Sequence, residues 1–300
     1  MKKSFTILFD FKNEAMNIKE MVKRLNTIFI DQKFDNYEKN IFFVNDQSTD
    51  NSKNVIETCK IEYNNTFNII LYNTPQIWGR DTCKIFAFKK INTDFLIHLD
   101  CDLQDPPEII PQLISEWEKG NKIVYTVRSK RLGENQLKLF FTFIAYRVVK
   151  LVSGSNRPLD SGDFTLIDKE IYKKIAKINQ IEPYIKGLLG LLNVKNSYVI
   201  YKRDARYTGK TKYPLYSSLN PYKELCRASI MYSKKVLPIY FLFSFFFFLL
   251  SCGYILFNGL NLNLKTLMVV FFNIVLFGLL IFLVKNDEKF QKEIFKNIND

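Results

Sequence analysis

Asp100 and Asp102 stand two residues apart at the end of an apolar run, in the string His98-Leu99-Asp100-Cys101-Asp102-Leu103-Gln104-Asp105-Pro106-Pro107-Glu108. In an extended chain residues i and i+2 project to one side. Both carboxylates can then approach one hard divalent ion, or the phosphates such an ion carries, as the oxygen-seeking Mg²⁺ and Mn²⁺ require. An acidic turn capping the next helix has the same spacing, so the pair alone leaves both readings open. His98, the one histidine of the chain, reads as a packed or hydrogen-bonded strand residue, because the neighbouring aspartates already offer oxygen to a hard metal. Cys59, Cys83, Cys101, Cys226 and Cys252 are odd in number and contain no CxxC pair, which supports neither a disulfide framework nor a cysteine zinc site. A single histidine also argues against His-rich metal sites and Ser-His-Asp triads.

These groups need a scaffold, and the composition provides for one. The 300 residues are 47% hydrophobic and 24% charged, enough for one large packed domain or two small ones. Residues 1–215 alternate apolar runs with amphipathic stretches, an α/β rhythm. Strands are predicted over 4–9, 41–44, 67–72, 94–99 and 122–127, and helices over 14–30, 52–59, 82–90, 107–119 and 136–153. In an open α/β sheet, ligands bind beyond the carboxyl ends of the strands. Polar residues concentrate there after the second strand, in Asn45-Asp46-Gln47-Ser48-Thr49-Asp50, and after the fourth, in Asp100-Cys101-Asp102.

The 98–108 string resembles the DxDLQDPPE signature of glycosyltransferase family 2 enzymes that act on polyprenyl phosphates, the bactoprenol glucosyltransferase and dolichol-phosphate mannose synthase group. Six more motifs of that group occur in order along the chain. Phe11-Lys12-Asn13-Glu14 is similar to its yNE motif, Val44 to Asp50 to VDDGSxD, and Trp78-Gly79-Arg80-Asp81-Thr82-Cys83 to FGK-x-x-A. Val124 to Arg131 resembles VxYxxRxxR, and Pro158 to Asp168 resembles PLDxGDFRLxD. Arg203 to Pro214 resembles R-x-x-R-x-x-G-x-[ST]-KYP. The sequence departs from the pattern at Asn45, where an Asp is usual, at Gln47 and Thr165, where Gly and Arg are usual, and at Lys186, Leu191 and Asn193.

The resemblance implies an α/β GT-A (Rossmann-like) domain with a nucleoside-diphosphate sugar in the strand-end crevice, and an inverting single displacement onto a lipid phosphate. It implies that Asp102 with Gln104 holds Mg²⁺ or Mn²⁺ and that Asp100 meets ribose or metal. Asn13, Glu14, Asp46, Gly79 and Arg80 would bind the nucleotide sugar. Asp163 would orient acceptor or sugar, or else serve as a structural Asp in a tight turn. Arg128, Arg131, Arg203, Arg206, Lys210 and Lys212 form an expected diphosphate- and lipid-phosphate-gathering set, since guanidinium forks suit bidentate oxygen contacts. UDP-glucose is the expected donor and undecaprenyl phosphate the expected acceptor. Mannose, an amino sugar or an aminoarabinose derivative are alternative sugars, and a non-catalytic nucleotide-sugar-binding scaffold is the rival from another class.

The C-terminal part is of another kind. Residues 236–257 and 266–284 carry no charge. At about 1.5 Å per residue they reach roughly 33 and 28 Å, against a hydrocarbon core of about 30 Å. Two transmembrane helices are predicted, with an interfacial segment over 216–235 and a tail over 285–300. Lys223, Arg227, Lys234 and Lys235 precede the first span and Lys285, Lys289, Lys292 and Lys296 follow the second. The positive-inside rule therefore places both termini and the 1–215 domain in the cytoplasm. The apolar stretch after Lys3 is interrupted at Asp10 and Lys12, too early for an export signal. The formal charge of +13 favours polyanionic partners, but much of the excess lies beside the spans and the motifs, and no nucleic-acid-binding signature is visible. Related enzymes imply a homo-oligomer packed through the membrane part.

Overall fold

The structure of the chain, a computed structural model, describes residues 2–131, 147, 156–178 and 184–204, with 245, 246, 248–251, 253, 271, 275 and 278. It divides into two compact units, Met1–Arg147 with Ser155–Leu219, and Val148–Gly154 with Asn220–Asp300.

The first unit is built on a seven-stranded mixed sheet. Its strands are β1 (Lys3–Phe11), β2 (Tyr37–Asn45), β3 (Asn68–Asn73), β4 (Phe95–His98), β5 (Ile123–Arg131), β6 (Ser161–Asp168) and β7 (Asn196–Arg203). The spatial order is β3-β2-β1-β4-β6-β5-β7. β1 to β4 run parallel, β6 lies antiparallel between β4 and β5, and β7 pairs parallel with β5. The helices are α1 (Ala15–Phe29), α2 (Ser52–Glu62), α3 (Arg80–Lys90), α4 (Ile110–Glu118), α5 (Lys169–Ala176) and α6 (Ile185–Leu191). Of the expected elements, all five strands and every helix except 136–153 are present. The expected 107–119 helix opens instead as a 3₁₀ turn over Pro107–Ile109, where Pro106 and Pro107 bring no N–H to a ladder. The 136–153 segment lies outside the described residues apart from the helical Arg147.

The central strands are continuous apolar runs because both of their faces are covered. All four residues of β4 are buried, as are the last seven of β1. α1 supplies Ile18, Met21, Val22, Leu25 and Phe29, a helical stripe buried along its whole length. Phe5 lies 5.0 Å from the Phe29 ring and stacks on Phe95 at 5.5 Å, which ties the helix to neighbouring strands. Asp168 closes β6 and caps α5 by accepting from Glu170 N (3.1 Å), while also accepting from Trp117 Nε1 (2.8 Å). This anchors the antiparallel strand at the end away from the site.

In the second unit the described residues are helical, and Phe245, Phe246, Phe248, Leu249, Leu250 and Phe271 are exposed. Among the described residues no helix is long and apolar enough to cross a membrane. Most of the two expected spans, and all of 216–235 and 285–300, lie outside the described residues.

Candidate active site

Among the described residues, four that are not glycine adopt the left-handed conformation: Asn13 (φ 56°), Gln47 (57°), Leu103 (58°) and Asp160 (58°). The first three follow β1, β2 and β4, and Asp160 precedes the antiparallel β6, so all four ring one end of the sheet. Backbone strain of this kind costs on the order of 1–3 kcal/mol per residue and gathers at functional sites. At Gln47, which stands where the family motif has glycine, the side-chain amide donates to the Thr74 carbonyl and holds the strained turn.

The loops after β1 and β2 are laced together. Asn13 N donates to Ser48 Oγ (2.9 Å), and Asn13 Oδ1 accepts from Thr49 N (2.7 Å). Glu14 N donates to Ser52 Oγ (3.1 Å), and Asp50 accepts from Ala15 N (3.0 Å). The Asp46 carboxylate accepts from the backbone amides of Trp78 (2.7 Å) and Gly79 (3.0 Å), which fixes the turn that opens α3. Asn45, in place of the family's Asp, donates to Asn73 Oδ1 (2.8 Å) and accepts from Ser48 N (2.9 Å). A polar cavity of about 360 Å³ lies beside this turn, lined by Gln47, Ser48, Asn51 and Asn73 among others.

A second cluster joins β1, α3, β4, β6 and α6. His98 presents Nε2 to Asp10 Oδ1 (2.5 Å) and Nδ1 to the Asp163 carbonyl (3.0 Å), as the hydrogen-bonded strand reading expects. Arg80 donates from Nε to Asp10 Oδ2 (3.1 Å) and from Nη2 to Asp100 Oδ1, and its Nη1 lies 3.7 Å from Asp163 Oδ2. Asp163 also meets Lys186 Nζ (2.8 Å) and the buried Lys84 Nζ (3.5 Å). It therefore sits inside β6 among cations, not in a tight turn, and Lys186 answers it directly. Burial pushes the Asp163 carboxyl up, but Lys186, Lys84, Arg80 and His98 outweigh it and hold the group well below the usual carboxylate range. Asp10 is likewise raised by burial and lowered further by Lys84, Arg80 and His98.

The third cluster centres on Asp105, whose carboxylate is fully buried. It accepts from Tyr201 OH, from Arg203 Nε (3.1 Å) and from Arg128 Nη2 (3.4 Å). Burial raises its pKa, but Arg128 and Arg203 more than offset this and keep it low. Two arginines of the expected phosphate-gathering set thus converge on one carboxylate. Arg131 ends β5 with its backbone in register with Arg203, whereas Arg206, Lys210 and Lys212 lie outside the described residues. A Cβ on Gly162 would stand 2.8 Å from Arg128 Cζ. Gly162→Ala is therefore expected to push the guanidinium off Asp105 and to cost roughly 1–3 kcal/mol in urea unfolding. Adding Arg128→Ala should recover part of that cost, whereas simple additivity of the two losses would exclude the contact as its cause.

Asp10, Asp105 and Asp163 have depressed pKa values in the fold, so their stabilisation is complete above the unfolded carboxylate value near 4 and is lost as pH falls through the lower folded values. Urea midpoints should change little between about pH 7 and 5 and drop steeply below about 4. A midpoint unchanged down to about pH 2 would show that these clusters contribute nothing to stability.

At the end of β4, Asp102 Oδ1 accepts from Gln104 N (3.2 Å), and Asp100 is engaged by Arg80. Among the described residues no three His, Cys, Asp or Glu side chains form a metal-holding group. The donors present are hard oxygens from two carboxylates and an amide. They fit an Mg²⁺-type ion that takes one or two carboxylates and completes its shell with substrate phosphates and water.

Asp10, Lys84, Asp105 and Tyr201 were not among the residues expected from sequence. Asp10 gave a signal, since it is the charge that interrupts the first apolar run, and Asp105 lies inside the acidic string itself.

Residues 6–176 match the family described as Glycosyl transferase family 2. An uncharacterized glycosyltransferase of Bacillus subtilis (strain 168), YkcC, is 32% identical over 212 residues, 70% of this chain and 64% of the relative. A prophage bactoprenol glucosyl transferase homolog of Escherichia coli (strain K12) is 27% identical over 182 residues, 61% of this chain and 58% of the relative. The chain thus matches less than two thirds of the length of either. The structure of glucosyl-3-phosphoglycerate synthase from Mycobacterium tuberculosis in complex with Mn²⁺, UDP-glucose and phosphoglyceric acid is similar at a TM-score of 0.50 and 12% identity, covering 76% of this chain and 78% of that one. The expected GT-A fold is borne out, as is the resemblance read from the motifs, and the chain belongs to glycosyl transferase family 2.

Proposed function

We propose that this protein is a polyprenyl-phosphate glycosyltransferase that moves glucose from UDP-glucose to undecaprenyl phosphate at the cytoplasmic face of a membrane. The observation that carries the reading is the convergence, at one end of the sheet, of the Asp46-held turn, the Asp100–Asp102 pair and the Asp105-held arginines. The bactoprenol glucosyl transferase homolog supports the lipid acceptor, and the Mn²⁺ and UDP-glucose of the solved relative support the donor and ion. Exposed phenylalanines on the helical residues of the second unit are what lipid would cover. This supports two spans over 236–257 and 266–284 with both ends cytoplasmic.

In the proposed reaction an oxygen of the lipid phosphate attacks the anomeric carbon, the bond from that carbon to the diphosphate oxygen breaks, and UDP leaves with the electron pair from the opposite face. The nucleophile is already ionised at neutral pH, so no strong general base is required. Asn13, Glu14 and Asp46 shape the nucleotide side, with Gly79 and Arg80 held against it by Asp46 and Asp10. Asp102 and Gln104 would hold the divalent ion, which as a Lewis acid neutralises charge on the departing diphosphate. Asp100 would meet ribose or that ion. Arg128 and Arg203, oriented by Asp105, would gather phosphate oxygens together with Arg131, Arg206, Lys210 and Lys212, and Asp163 would orient acceptor or sugar.

The test is to incubate detergent-purified protein with undecaprenyl phosphate, Mg²⁺ or Mn²⁺ and a panel of UDP- and GDP-sugars, reading glycolipid by mass spectrometry. Glucosyl lipid phosphate formed from UDP-glucose is the expected result. Product from another donor alone would change the sugar, and no product from a protein that still binds UDP would favour a non-catalytic scaffold.

A further inference from the structure

Arg80 opens α3, and its guanidinium meets carboxylates carried by three strands or their ends: Asp10 on β1, Asp100 after β4 and Asp163 on β6. Its side chain is 39% exposed, whereas that of Asp10 is 1% exposed. The fork is thus tethered through Nε to a fixed anchor while the side chain as a whole remains partly open to solvent. The contact that matters is with Asp100, because it directs an N–H at an oxygen of the very pair proposed to receive a divalent ion.

We infer that Arg80 is a built-in counter-cation of the acidic pair, holding Asp100 until a divalent ion and a diphosphate arrive together and then shifting toward the diphosphate and Asp163. The inference rests on the metal reading proposed for Asp100 and Asp102. A carboxylate oxygen that accepts a guanidinium N–H is a poorer metal donor, and two cations on one carboxylate repel. An ion arriving alone must therefore displace Arg80 with nothing to take the released charge. A diphosphate changes the balance, since it offers the guanidinium new oxygens and compensates the added charge of the ion. The Nη1 already 3.7 Å from Asp163 Oδ2 gives the displaced group a second resting place. Metal and nucleotide should then bind with positive coupling that passes through Arg80, and by linkage each should strengthen the other by the same factor. An arginine that merely touched the nucleotide would behave differently, since its removal would weaken nucleotide binding and leave binding of the ion alone unchanged.

Free Mn²⁺ measured by electron paramagnetic resonance, on the full chain in detergent with and without UDP, tests this for wild type, Arg80→Gln and Arg80→Lys. In wild type UDP is expected to raise Mn²⁺ affinity by about tenfold or more, within the usual range of such couplings. Arg80→Gln should bind Mn²⁺ without UDP about fivefold more tightly than wild type, and the enhancement by UDP should shrink to about twofold. Arg80→Lys, which keeps the charge but loses the fork, should fall between them, and it decides the question if the glutamine variant does not fold. If the variants bind Mn²⁺ alone no more tightly than wild type while wild type still responds to UDP, the role of Arg80 is overturned and the metal reading stands. If wild type takes up no Mn²⁺ even with UDP, both fall.

Discussion

Asp105→Ala is expected to destabilise the protein by about 3–5 kcal/mol, the usual cost of removing one partner from a buried charge cluster. The carboxylate is fully buried, and its partners Arg128 and Arg203 are only 10% and 14% exposed at the side chain. Their charges would remain in place without a counter-ion, and Tyr201 would lose its acceptor. Urea unfolding with a shared m-value would read the loss directly. Asp105→Asn should cost less, because the amide oxygen still accepts from Tyr201 and from one arginine. A loss under about 1 kcal/mol for alanine would mean that water takes over the role of the carboxylate.

Three residues earlier the expectation reverses. Asp102→Ala should lower metal-dependent glycosyl transfer by about 10²–10³-fold, the scale for a preorganised electrostatic contact to developing charge. The fold should be retained, with the change in unfolding free energy within about 1 kcal/mol, near the middle of ordinary point mutations. Transfer rate and urea midpoint, measured on the same preparations, separate the two aspartates. Asp102→Ala should fail in rate and Asp105→Ala first in stability. Unchanged turnover in Asp102→Ala would remove its metal role.

The first five strands were legible because they are apolar runs, those of β1, β2 and β4 largely buried, and because motifs marked the ends of those three. β6 was not, since Ser161, Gly162 and Asp163 look like turn residues, and the segment is a strand only because β4 and β5 clamp it from either side. β7 is an edge strand whose exposure alternates until Tyr201 turns inward, so no apolar run announced it. Within the site, residue types were readable and partners were not. Arg128 and Arg203 read as phosphate ligands, and nothing local shows that they meet a carboxylate 23 and 98 positions away. Asp46 read as a ligand of the nucleotide sugar, yet both of its oxygens reach amides more than thirty residues further on. His98 came out as expected because a lone histidine in an apolar strand has few other uses.

The placement of β6 also bears on how the chain is made. β1 to β4 can pair with one another once residue 98 has been synthesised, but the other edge of β4 has no strand to bond with until residues 161–168 appear. Between those points the nascent chain carries an open, wholly buried-type strand edge at Phe95–His98, the kind that templates association with a second chain. Such non-local closure is slow to form. A ribosome paused between these points therefore displays an aggregation-prone form of this protein, and codon or temperature changes that lengthen the pause should lower soluble yield without altering the finished fold.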